Sequence, residues 1–204
     1  MKKIIILMWM CIPLITYGAP ASISLDGYFD DWADKPGTEL SYPWNNPGQA
    51  HTVKWYVGDT DLYLYIQMGT KGGQNIGYYQ IYYYVDNGNR KQLALAPDNP
   101  SSGRVAIIDT NGGYNFLTTD GYVVRGSNSD GKTSDKAEFR IPLSTFEKDA
   151  NNQMFTLSLE FPNLGSQSLS FQAGSTYAYM GILISAAAAG LGMFIYKRKR
   201  NKLQ

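Results

Sequence analysis

Few residues in this 204-residue chain are equipped for chemistry. His51 is the only histidine, so neither a two-histidine metal site nor a histidine-relayed pair is available. Cys11 is the only cysteine, and it lies inside an N-terminal apolar run, residues 4–15. If that run is removed as a signal peptide, the mature chain carries no thiol. A Ser-His-Asp triad would have to use His51, and no serine sits in a Gly-x-Ser-x-Gly elbow. Two-carboxylate glycoside hydrolysis is the one hydrolytic chemistry the composition leaves open. Yet the acids fall mostly in turn sequences, such as Asp30/Asp31, Asp59/Asp61 and Asp130/Asp135. There a carboxylate bonds backbone N–H groups. The chain therefore reads as a non-catalytic protein, with a small glycosidase as the lesser alternative.

Binding chemistry is better represented. Tyr63, Tyr65 and Gln67 alternate with Leu62, Leu64, Ile66 and Met68; Gln80, Tyr82 and Tyr84 alternate with Ile81, Tyr83 and Val85. If these two strands are neighbours, their outward faces merge into a tyrosine platform, joined by Tyr56. Aromatic rings stack on the apolar faces of pyranoses, and hydroxyls and amides bond their oxygens. Tyrosine is also a good strand former, so a layer covering this face would make the same residues ordinary packing. Trp44 stands in Tyr42-Pro43-Trp44-Asn45-Asn46-Pro47-Gly48, a loop with no apolar period, and reads as a second platform. Trp32 and Trp55 read as core. Glu138 and Arg140 lie off the Phe139/Ile141 face, where they either reach a ligand or pair across strands. The candidate ligand residues are thus Trp44, Tyr63, Tyr65, Gln80, Tyr82, Tyr84, Glu138 and Arg140. Asp86-Asn87-Gly88-Asn89 and residues 127–131 supply oxygens of the calcium type, without EF-hand spacing. Sheet-end turns use the same residues, and no metal or cofactor is expected.

The elements that must carry these side chains read as strand and turn. Alternation marks strands at residues 53–57, 62–68, 78–85, 105–108, 122–124, 137–141 and 155–160, with Gly, Asn and Asp between them. Residues 143–149 read as one helical turn after Pro142. The expected fold is an all-β antiparallel sandwich over residues 22–163. Residues 164–176, rich in Ser, Gly and Gln, read as a polar linker.

Both ends read as export signals. Lys2 and Lys3, the apolar run and Ala19-Pro20-Ala21 form a signal peptide over residues 1–21. Residues 177–196 (YAYMGILISAAAAGLGMFIY) hold no charge, and about 20 helical residues cross roughly 30 Å of bilayer core. Lys197-Arg198-Lys199-Arg200 follows, which assigns residues 197–204 to the cytoplasm and the domain to the cell surface. All 17 acids fall between the apolar segments, against 11 of the 18 Lys and Arg, a formal charge of −6. That balance argues against nucleic acid or an anionic wall polymer held by bulk charge.

Two resemblances add to this reading. Residues 24–32 (SLDGYFDDW) resemble the opening of the family-9 carbohydrate-binding modules and the related DOMON-like domains. Residues 53–66, 81–86 and 137–143 resemble later segments of that family, in its order. The resemblance implies a β-sandwich that binds sugars, or haem in some branches, usually without catalysis. Phe171-Gln172-Ala173-Gly174-Ser175-Thr176, the span and the basic cluster resemble exosortase sorting tails of the Firmicute type. That resemblance implies an exosortase-like enzyme as partner, cutting near Ala173, Gly174 and Ser175 and releasing or transferring the domain. A permanent single-pass anchor is the alternative. The functional expectation is a surface module for a polysaccharide or envelope glycan. The alternative is an accessory protein of an exopolysaccharide system that binds no free sugar.

Overall fold

The alternation read from the sequence builds the sheet. Leu62, Leu64 and Ile66 are fully buried along one strand, and Ile81, Tyr83 and Val85 are buried along another. The computed structural model describes residues 23–77, 80–96, 102–147, 149–150 and 154–174. They form β1 (Gly37–Leu40), β2 (His51–Val57), β3 (Asp61–Gln67), β4 (Gln80–Val85) and β5 (Lys91–Ala96). These are followed by β6 (Gly103–Asp109), β7 (Asn115–Ser127), β8 (Thr133–Pro142), β9 (Met154–Glu160) and β10 (Ser168–Gly174). A 3-10 turn at Asp30–Trp32 and one helical turn, α1 (Ser144–Glu147), are the described helices.

The ten strands make one antiparallel sheet, in the order β1-β2-β3-β8-β7-β6-β5-β4-β9-β10. The sequence reading expected two packed sheets; the strands form one continuous ladder in their place. The sheet curls until its edges nearly meet. Trp55 of β2 stacks on Phe171 of β10 at 5.9 Å. Ser41 donates its N–H to Gln167 Oε1 (2.8 Å) and accepts the Ser166 N–H (3.1 Å). The Tyr42 hydroxyl donates to the Pro162 carbonyl. The result is nearly a barrel, with one large core on the inner face.

Two expectations need correction. β3 and β4 are not neighbours: β3 lies between β2 and β8, and β4 between β5 and β9. The tyrosine platform is therefore split between separate parts of the sheet. Residues 168–174 are a strand and not a spacer. Leu169 and Ala173 point inward with Phe171 between them, while Ser168, Ser170 and Gln172 face solvent and give the segment its linker-like composition.

Strict antiparallel order gives the sheet two distinct ends. β10 leaves at the end that carries the β2–β3 turn, the β4–β5 turn, the β6–β7 turn and α1. The β1–β2, β3–β4 and β7–β8 connections lie at the opposite end.

Gly121 in β7 allows a close approach where the β6–β7 register shifts between Val105 and Ile107. A Cβ there would stand 2.7 Å from the Val105 carbonyl oxygen and 2.8 Å from Phe139 Cβ. Neither neighbour is the free end of a flexible chain. Gly121→Ala should lower stability in urea unfolding by about 1–3 kcal/mol, the usual cost of overpacking. A loss under about 0.5 kcal/mol, the scale of an ordinary surface change, would contradict this packing.

Candidate ligand-binding site

The site is built on one buried carboxylate. Asp135 near the start of β8 is fully buried. Its Oδ1 accepts from Arg125 Nε (2.8 Å), and its Oδ2 accepts from Arg125 Nη2 (2.9 Å) and the Ile76 N–H (2.8 Å). Its own backbone N–H donates to the Gln74 carbonyl, and its carbonyl accepts the Met68 N–H. Ser134 beside it donates to the Gly69 carbonyl at 2.7 Å and accepts the Gln74 N–H at 3.1 Å. A loop of mostly small and polar residues, 68–76, is thereby fixed to the sheet by side-chain and backbone bonds.

That loop is a shared wall. Gln67, Met68 and Thr70 border two clefts at the end of the sheet remote from the β10 exit. The first, of about 450 Å3, lies between Gly27-Tyr28-Phe29 and the β7–β8 connection. The second, of about 470 Å3, is walled by the β1–β2 loop, including Tyr42, Asn45 and Asn46. Both fall in the size range of small-molecule sites. Gln67 Oε1 accepts the Tyr65 hydroxyl at 2.9 Å. Its Nε2 hydrogens have no protein acceptor among the described residues, so a ligand oxygen in either cleft can take them.

Trp44 is 75% exposed beside the second cleft. It lies flat on Tyr42, ring centroids 4.6 Å apart and planes 4° from parallel. The loop is held from within by the Asn45 N–H to the Tyr42 carbonyl (2.9 Å) and the Gln49 N–H to the Asn46 carbonyl (3.0 Å). A rigid, exposed indole beside a polar cleft can offer a stacking surface at little entropic cost. Tyr28, 77% exposed, stands in the first cleft. Gly27 at φ +84° and the Asp26 Oδ1 bond to the Tyr28 N–H (2.9 Å) turn the chain there.

The other candidates fall elsewhere. The N-terminal segment covers the Tyr63/Tyr65 face: Trp32 stacks on Tyr65 at 5.6 Å and Phe29 packs on it at 5.3 Å. Burial pushes the Tyr65 phenol well above its ordinary range, with Glu138 adding to it. Tyr63 is half-buried beside Tyr56. Glu138 does not face a ligand. It is fully buried, and its carboxylate accepts the Gly27 N–H (2.7 Å) and Trp32 Nε1–H (2.9 Å). Burial holds its pKa above the usual carboxylate value despite those donors. Arg140 pairs with Asp120 at 2.5 Å and Asp61 at 3.5 Å, the cross-strand account.

On the distant part of the sheet, the Tyr82 hydroxyl donates to Gln80 Oε1 (3.2 Å), with the Arg90 guanidinium 4.5 Å from the Tyr82 ring. Tyr84 donates to Glu160 at 3.1 Å. Those groups satisfy one another. Asp86 and Asn87, both at positive φ, form the β4–β5 turn, and Asp86 Oδ1 accepts the Thr156 N–H. Asp130 caps the Gly72 and Lys132 N–H groups. Among the described residues no three His, Cys, Asp or Glu gather as metal ligands. Ala173 and Gly174 are buried in β10, and Ser175 lies outside the described residues.

None of the candidate ligand residues lines either cleft; Trp44 adjoins the second through Tyr42, on which it stacks. Sequence reasoning missed Tyr28, Thr70 and Lys136 as cleft residues. Tyr28 stood inside the SLDGYFDDW motif, and the Asp-Gly pair before it was the signal that it would project. The chain matches no family model, no curated protein and no solved structure.

His51 is a titratable support of the same loop. It is 5% exposed, and its Nδ1 accepts the Gly69 N–H at 3.1 Å. Burial lowers its pKa below the ordinary 6.5. The unfolded chain therefore takes up a proton near pH 6.5 while the folded chain still resists it. This contribution is complete above about pH 6.5 and falls away as pH drops. Between pH 7 and 5.5, urea unfolding should show a loss of up to about 1.4 kcal/mol per pH unit, absent in His51→Gln. Equal slopes in both proteins would contradict this role.

Proposed function

We propose that this chain is an exported, surface-attached, non-catalytic glycan-binding domain whose site is the pair of clefts that share the 68–76 loop, with Trp44 beside the second. The exposed indole, stacked flat on Tyr42 beside a cleft lined by asparagine side chains, carries this reading. It is the arrangement that a pyranose needs: a flat apolar surface for its C–H face and amide groups for its hydroxyls. The −6 charge of the region between the apolar ends disfavours attraction by bulk charge and leaves stacking and locally directed polar bonds as the basis of affinity.

The signal peptide (1–21), the membrane span (177–196) and the cytoplasmic tail (197–204) lie outside the described residues, and they belong to the same proposal. β10 leaves the sheet at the end opposite the clefts. An anchor there would hold the clefts away from the membrane, with Ser175 and Thr176 as the connection. Ala173 packs in the core and Gly174 pairs with Met154. A processing enzyme acting at Gly174–Ser175 would have to draw the end of β10 out of its ladder. That burial favours the permanent anchor over cleavage in the folded domain.

Affinity electrophoresis of the ectodomain through a panel of bacterial polysaccharides tests the binding reading. At least one polymer should retard the protein. Trp44→Ala should weaken that retardation at least tenfold, the scale of an exposed aromatic anchor. Retardation by none of the polymers would overturn the reading in favour of an accessory protein that binds no free sugar. Loss on Tyr82→Ala with Trp44→Ala unchanged would move the site to the β4 face.

A further inference from the structure

We infer that the two clefts form one track for an acidic polysaccharide, with a sugar ring stacked at Trp44 and a carboxylate read by Lys136. The inference rests on the glycan reading above and narrows its ligand class. Gln67, Met68 and Thr70 line both clefts, so a ligand crossing that wall stays in contact with protein throughout. Each cleft has its own exposed aromatic, Tyr28 in the first and Trp44 beside the second. Two stacking surfaces joined by hydrogen-bonding wall residues suit several consecutive sugar units better than a single ring.

The charge pattern names the class. Lys136 lines the first cleft and is exposed, with its Nζ 5.6 Å from the Phe29 ring centroid. It makes no ion pair among the described residues. Asp135, the one acid lining this cleft among the described residues, is paired with Arg125. The first cleft therefore holds a cation without an ion-pair partner beside polar groups and an aromatic ring. The second cleft contains Glu39, an exposed carboxylate, which disfavours an anionic unit there. A polymer carrying uronic-acid carboxylates fits, with an acid in the first cleft and a ring face against Trp44.

The test compares polygalacturonate and alginate with their methyl-esterified forms, which keep the backbone and remove the charge, and includes neutral glucans. Binding of the intact ectodomain is followed by affinity electrophoresis and calorimetry. At least one acidic form should bind about two- to fivefold more tightly than its ester, the range of one exposed charge pair. The difference should shrink as ionic strength rises, because Lys136 is solvent-exposed. Lys136→Gln, which keeps the stem and loses the charge, should abolish that preference, whereas Trp44→Ala should weaken acid and ester alike. Lys136→Glu should reverse the preference towards the ester. If acid and ester bind equally, or if Lys136→Glu keeps the preference, the acidic-ligand inference is wrong and the glycan reading stands. Binding of neutral glucans alone would overturn the acidic-ligand inference in the same way. If no polysaccharide binds, both fail.

Discussion

The structure depends on a bidentate ion pair that the sheet has to shelter. Asp135 is fully buried, and Arg125 is the cation that meets it from the neighbouring strand. A buried carboxylate without its partner costs several kcal/mol. The pair is therefore a constraint as much as a stabiliser: β7 and β8 must keep their register for it to form. Two further bonds from the Asp135 backbone and one from its side chain then hold residues 68–76. Because that loop divides the two clefts, the register of the sheet and the shape of the site are linked through one residue.

β8 repeats the device on its outer face. Glu138 collects the Gly27 N–H and the Trp32 indole N–H, which lays the N-terminal segment over Tyr65. Asp135 holds one wall of the first cleft, and Glu138 holds the Gly27-Tyr28-Phe29 wall that faces it. The acids that looked available for catalysis or ligands are largely engaged in this way. Burial raises the Glu138 pKa, a shift that elsewhere marks a general acid, but both of its oxygens are engaged by donors of the fold. Perturbed titration here reports architecture.

Much of the fold was legible because alternation survives in the strands that face the core. β4 and β9 bury every second residue, and β3 and β8 keep the alternation of residue type because the extra buried positions within their alternating runs, Tyr65 and Glu138, are the polar ones covered by the N-terminal segment. β5 was not legible, since Leu93, Ala94 and Leu95 are buried in succession and erase the period. β10 was hidden by its outward Ser and Gln residues. Strand order was beyond reach, because the β3–β4 connection crosses between parts of the sheet that local pattern cannot relate. The site divided along the same line. Trp44 was found because a loop tryptophan needs only local sequence to stand out. Lys136 and Tyr28 enter one cleft only when β8 and the N-terminal turn meet, 108 residues apart in numbering. The candidate tyrosines of β3 and β4, prominent by composition, proved to be covered or bonded to neighbouring side chains such as Gln80 and Glu160.

The central claim is that ligand binds at the end of the barrel where the 68–76 loop separates the two clefts. The most direct measurement is an amide and indole chemical-shift titration of the ectodomain with oligogalacturonate. Binding at the clefts should move the Trp44 indole N–H, the Gln67 side-chain amide and the Thr70 and Lys136 amides, and leave the Tyr82 and Tyr84 amides still. Shifts confined to the β4–β9 face or to the β10 exit would contradict it.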